Sequence, residues 1–160
     1  MVKITIVCVG KIKEKFYRDA LDEYSKRLGK YCKFQVVEVA DEPTPDRALP
    51  SEEEIIKAKE GKKILSKIPD NAYVCTLEIL GDELSSTELA SEIDRLTTMG
   101  KSSIAFVIGG SLGLSEEVTK RSDRHLSFSK MTFPHQLMRV ILSEQIYRSF
   151  RIINNEPYHK

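Results

Sequence analysis

Tryptophan is absent from the 160 residues, histidine and cysteine occur only three times each, and no run of about 18 apolar residues could cross a bilayer. Each gap excludes something. No C-x-x-C pair occurs and no histidine lies near a cysteine, which argues against a zinc site. An odd cysteine count argues against a disulfide framework. Cys8 and Cys75 fall inside apolar strand patterns, and Cys32 lies on the approach to a strand, so buried thiols are expected. After Met1 the apolar run covers only Ile4 to Val9, is broken by Thr5, and leads to no small-residue cleavage site, so no signal peptide is expected and the expected location is cytoplasmic. What is present, 41% apolar and 31% charged residues, suits one soluble domain spanning residues 1–160 around one substantial core.

The formal net charge is only +1, but it is unevenly spread. Residues 1–33 hold nine Lys/Arg against four Asp/Glu, residues 34–119 eight against seventeen, and residues 120–160 eight against three, giving nets of +5, −9 and +5. If the two ends meet, they make a basic face suited to a phosphate backbone. The alternative is a set of ordinary solvated helix faces.

Strands and helices alternate along the chain. Val2 to Val9 reads as a buried strand, closed by Gly10. A helix from about Glu14 to Leu28 carries Phe16, Ala20, Leu21 and Tyr24 at helical spacing, with Gly29 as its stop. Phe34 to Val39 is a second strand, followed by a loop with Pro43 and Pro45. Ser51 with Glu54 has the spacing of a capping box opening a helix, in which Gly61 marks a bend or a close approach. Tyr73 to Leu80 is a third strand with a turn at Gly81-Asp82. Ser85 with Glu88 caps the next helix, which Gly100 ends. Ile104 to Ile108 is a fourth strand, apolar throughout, as when both faces are covered. Ser115 caps a short helix with Glu116 and Glu117 in its first turn, and a short strand spans about Leu126 to Phe128. The alternation implies an α/β fold with a mainly parallel sheet and helices on both faces.

The last helix, from Pro134 or His135 to Ile153, has Leu137, Met138, Val140, Ile141 and Leu142 nearly all round it. A homodimer would cover the excess apolar surface; so would two flanking helices of the same chain.

Two turns stand out. Gly109-Gly110-Ser111-Leu112-Gly113 follows a buried strand, but its spacing is not G-x-G-x-x-G and no acidic residue falls about 20 positions on to hold a ribose. Neither does it contain the Gly-Lys pair of a P-loop. Three glycines in five residues point to backbone brought close to a ligand. Phe128 to His135 lacks glycine and sets Ser129, Lys130 and Thr132 between Phe128, Met131 and Phe133, too apolar for an ordinary surface loop.

FVIGGSLGL, FSKMTFPHQLMRVILSEQIYR and the terminal NNEPYHK, with VGK, KEGKKIL and TLEILG in support, together resemble the SPOUT-class methyltransferases of the ribosomal RNA large subunit methyltransferase H type, over essentially the whole chain. The resemblance implies a C-terminal trefoil knot and S-adenosylmethionine bound in it by Leu77, Gly109, Phe128, Ser129, Lys130, Met131, Thr132 and Phe133. It also implies a homodimer that methylates N3 of a pseudouridine in 23S rRNA on the assembled ribosome, with no metal and no membrane contact. His159, with Tyr158 beside it, is the titratable candidate for catalysis. A disordered terminus is the competing reading of both, and His135 is the competing histidine, although beside Pro134 at a helix start it reads as structural. Arg139, Arg148 and Arg151 are candidates for RNA contact. The rival functions are a ribosome- or RNA-binding module without turnover and a SPOUT methyltransferase acting on tRNA.

Overall fold

The computed structural model describes all residues 1–160. Five strands, β1 (Lys3–Val9), β2 (Lys33–Val39), β3 (Tyr73–Glu83), β4 (Ser103–Ile108) and β5 (Arg124–Ser127), form one parallel sheet in the order β2-β1-β4-β3-β5. The helices are α1 (Lys15–Leu28), α2 (Pro50–Lys67), α3 (Ser86–Thr98), α4 (Glu116–Arg121) and α5 (His135–Ile153). The expected α/β class with a parallel sheet is the one observed.

The period-two pleat divides each central strand between two cores. Ile4, Ile6, Cys8, Ile104, Phe106 and Ile108 face a cluster shared with α1, α3 and α5. Val7, Val9, Ala105 and Val107 face α2 and α4 on the other side. All six residues of β4 are buried, which explains its continuous apolar sequence. The thiols of Cys8, Cys32 and Cys75 are all free and buried, and burial pushes each of them up to about 12. No helix is long and apolar enough to cross a membrane.

Three local expectations are revised. Helix α2 starts at Pro50, earlier than Ser51, because proline's fixed φ suits the first helical position; the Leu49 N–H then donates to Glu52 rather than Ser51 forming a box with Glu54. Strand β5 begins at Arg124 and ends at Ser127, so Phe128 lies in the loop. Gly81-Asp82 is not a terminal turn but part of an irregularity inside β3, whose pairing with β5 jumps from Leu77 to Asp82. The capping box of α3 at Ser85 and Glu88 and the N-cap of α4 at Ser115 are as expected.

Gly61 is a close approach. A Cβ there would lie 2.2 Å from Ser115 Oγ and 3.2 Å from Val118 Cγ2, so the missing side chain lets α2 pack on the start of α4. Gly61→Ala gains about 1 kcal/mol of helix propensity but overpacks a filled contact at a cost of about 1–3 kcal/mol. At 2.2 Å the overpacking wins, and a lower urea midpoint with an unchanged slope is the expected result.

The all-round apolar character of α5 has a local explanation, because the helix lies between α1 and α3. Leu142, Ile146 and Phe150 are buried there, while Leu137, Val140 and Ile141 stay half-exposed.

Candidate active site

Parallel strands deliver their loops to one edge, and at the carboxyl ends of β3, β4 and β5 those loops enclose a cavity of about 720 Å³. One wall is the glycine turn after β4. Gly109 is too tightly set against Leu114 and the Gly113 carbonyl, at 2.9 and 3.2 Å from a Cβ, to carry a side chain, and Gly113 has φ +86°. The turn therefore presents backbone to the cavity. The opposite wall is the segment after β5, pinned by Ser129 Oγ accepting from Met131 N–H at 3.0 Å and by Ser127 Oγ donating to the Ser129 carbonyl at 3.1 Å.

The third wall comes from the β3 irregularity. Ser127 Oγ sits 2.9 Å from the Ile79 carbonyl, and Gly81 lies so close to the His125 backbone that a Cβ would come within 2.8 Å of it. These contacts push residues 78–80 outward, leaving Leu80 96% exposed at the rim beside Ile79 and Met131. A bulge that re-aims side chains beside a pocket is a common device.

Seven of the eight residues marked in the sequence as cofactor contacts line this cavity: Leu77, Gly109, Phe128, Ser129, Met131, Thr132 and Phe133. Lys130 lies in the same loop but is exposed and outside the lining. Two ionisable side chains line the cavity, Glu78, to which sequence reasoning gave no role, and His135, which it read as structural at a helix start. His135 opens α5; its Nδ1 is buried without a partner, and burial, followed by the Arg139 charge, lowers its pKa. The ring is therefore held neutral and can accept a hydrogen bond. Nowhere do three His, Cys, Asp or Glu side chains gather as a metal-binding group.

The remaining candidates lie elsewhere. Arg139 is fully buried: its guanidinium donates to the carbonyls of Val9 at 3.0 Å and Gly10 at 2.8 Å and to Glu38 at 2.7 Å. The expectation that it touches RNA is corrected, since no part of it reaches the surface. Tyr158 and His159 follow the far end of α5, which at 19 residues spans about 28 Å, so within one chain they stand at the opposite edge of the sheet from the cavity.

That far end is ordered by an aromatic and cationic cluster. The Arg148 guanidinium lies 4.6 Å over the Tyr158 ring, Tyr147 meets Tyr158 edge-on at 5.0 Å, and Tyr158 hydroxyl reaches Glu144 at 3.2 Å. Arg148 also donates to Glu144 and, through Nη1, to His159 Nδ1 at 3.1 Å. A guanidinium has no acceptor, so Nδ1 must accept and a neutral His159 ring carries its proton on Nε2. In this arrangement His159 offers a donor, not a base. Packing of α1 on α5 brings Arg27 and Lys30 beside Tyr147 and Tyr31, so the two basic ends of the chain do come together. Arg151 is tied to Glu156 at 2.5 Å and to the Pro157 carbonyl at 2.7 Å, which anchors the tail.

Residues 2–159 match a family profile described as "Predicted SPOUT methyltransferase". The chain is 60% identical over 159 residues to ribosomal RNA large subunit methyltransferase H of Clostridium beijerinckii, covering 99% of this chain and 100% of that protein. It is 56% identical, with the same coverage, to the protein of that name in Clostridium kluyveri. Among solved structures, one described as a "probable methylase family protein" of Haemophilus influenzae superposes with a TM-score of 0.55 at 14% identity, over 99% of this chain and 70% of that one. At that identity the likeness speaks for the fold alone.

Proposed function

The chain belongs to the SPOUT methyltransferases, in the ribosomal RNA large subunit methyltransferase H family, and from that premise we propose that it is a homodimer that methylates N3 of a pseudouridine in 23S rRNA on the assembled ribosome in the cytoplasm, with S-adenosylmethionine as donor. The observation that carries this reading is the cavity, which collects seven of the eight residues marked for the donor at one sheet edge. Its chemistry suits the group: apolar side chains to cover an adenine, backbone edges of the glycine turn to pair with it, and an unpartnered His135 Nδ1 as an acceptor. S-adenosylmethionine supplies an activated methyl on a sulfonium, so no metal is called for. The trefoil knot belongs to the same reading. It is supported by the path of the chain, which leaves β5 beside β3 and starts α5 against the ends of β1 and β2.

The acceptor nitrogen gives up its proton to solvent before it attacks, and the N–C bond it forms replaces the methyl–sulfonium bond, whose electron pair leaves on a neutral thioether. In the reading proposed, Phe128 to Phe133 and Gly109 hold the donor in line with the incoming base, an alignment that is a major source of rate. His159 Nε2–H donates to a carbonyl oxygen flanking N3, and the Arg148 charge behind it stabilises the developing anion. Tyr158, under Arg148 and edge-on to Tyr147, fixes the guanidinium that orients His159. Since about 28 Å separates this tail from its own cavity, the tail must serve the cavity of a second copy. Antiparallel pairing over the half-exposed Leu137, Val140 and Ile141 brings one copy's tail to the other's cavity. Arg148 and Arg151 then border the RNA path. Lys130, exposed at the cavity loop, is free to meet phosphate as well as donor.

The test uses methyl-labelled S-adenosylmethionine with 70S ribosomes and with a random uridine oligonucleotide. Label should enter the large-subunit rRNA of ribosomes and enter the oligonucleotide far more slowly. Equal labelling of both would overturn the substrate assignment.

A further inference from the structure

Glu78 is the one carboxylate in the cavity wall, and it is held in place from behind. Its Oε2 accepts from the hydroxyl of the fully buried Thr76 at 2.6 Å and touches His125 Nδ1; Thr76 in turn contacts Ser122 Oγ at 2.8 Å. Oε2 is thus engaged by the protein, while Oε1 has no partner within the chain. Positions 76, 78, 122 and 125 lie on β3, β5 and the turn before β5. The β3 bulge brings them together and turns Glu78 toward the cavity between Leu77 and Ile79. A fixed acceptor with one free oxygen, on an apolar wall, is built to receive donors.

Two parts of the methyl donor could supply donors: the amino-acid end and the ribose. The amino-acid end carries a carboxylate beside its ammonium. The only other ionisable side chain lining the cavity is His135, held neutral, so the wall around Glu78 supplies no cation to balance that second carboxylate, and Lys130 lies outside the lining. Two carboxylates side by side repel. A ribose is neutral, and its adjacent hydroxyls donate to a carboxylate without that penalty. We propose that Glu78 Oε1 accepts from the ribose cis-diol of the nucleoside ligand, making the Glu78–Thr76–His125 group the determinant that selects a ribonucleoside donor. This rests on the S-adenosylmethionine reading above and adds to it which end of the cavity takes the sugar.

Calorimetric titration of the full-length protein with S-adenosylhomocysteine and its 2′-deoxy and 3′-deoxy analogues tests it, because binding is read without turnover. The wild type should bind the parent and lose roughly 10–100-fold for a missing hydroxyl, as for a hydrogen bond to a charged group. Glu78→Ala should lose a similar factor toward the parent and no longer distinguish the analogues. Thr76→Val keeps the carboxylate but frees it, and should lose several-fold with discrimination blunted; it supplies the answer should Glu78→Ala fold poorly by thermal melting. Glu78→Ala that binds like the wild type, or that is weakened yet still distinguishes the deoxy analogues, overturns the proposal while leaving the donor reading intact. A wild type that binds none of the three overturns both.

Discussion

Removing Tyr158, His159 and Lys160 should lower methyl transfer by about 10²–10⁴-fold, the range expected for losing a positioned proton-donating group, while S-adenosylhomocysteine binds with nearly unchanged affinity. The expectation follows from where the tail sits. Within its own chain the tail touches Arg148, Tyr147 and Glu144 at the far end of α5 and none of the cavity wall, and across the proposed dimer it meets the acceptor base rather than the donor, so cofactor affinity should change little. The loss should fall on kcat more than on KM, since a donor aimed at a developing anion acts mainly in the transition state. His159→Gln, which keeps an N–H donor, should recover part of the rate, whereas a lost base would not be recovered by glutamine. Mixing the tail-less chain with a full-length chain whose cavity is filled by Thr132→Trp should restore activity in the hybrid. Failure of complementation, with hybrid dimers demonstrably present, would count against a tail acting across the dimer.

Much of this arrangement was legible in the sequence because it depends on local chemistry. The buried strands, the Ser85 and Ser115 caps and the glycine turn each follow from residue type at fixed spacing. The missing parts depend on contacts between distant segments. Nothing in the alternation of Tyr73 to Leu80 reveals that β3 resumes pairing at Asp82, because the bulge is imposed by Ser127 and the backbone of His125 from β5. For the same reason Glu78 and His125 read as unremarkable, although 47 residues apart they form one polar group. Periodicity gave a long apolar α5 but not its neighbours; α1 and α3 cover Leu142, Ile146 and Phe150, while Leu137, Val140 and Ile141 stay half-exposed. The mid-helix glycine of KEGKKIL did signal a close approach, but not its partner, which is the N-cap Ser115 and Val118 of α4.

Arg139 makes the same lesson quantitative. Charge alone suggested RNA, yet its head group is spent inside the protein, tying α5 to the carboxyl ends of β1 and β2 through Val9, Gly10 and Glu38. Arg139→Met should keep the apolar stem but leave two backbone carbonyls and the Glu38 carboxylate without their donor. Breaking a buried ion pair by removing one partner costs about 3–5 kcal/mol, and at about 2–4 °C per kcal/mol for a chain of this size the melting temperature should fall by about 6–20 °C. Glu38 retains the Ile12 N–H at 3.0 Å and is partly exposed, so water can reach it and the lower half of that range is the closer expectation. Arg148→Met is the comparison, for its guanidinium is only partly buried, with Glu144 and Tyr158, and leaves no backbone carbonyl of another element without its donor, so a smaller shift is expected. A melting shift at Arg148 as large as that at Arg139 would mean that the tail cluster, rather than the Arg139 anchor, holds α5 in place. The two arginines differ by nine positions on one helix, and burial alone assigns one to the fold and leaves the other to the chemistry.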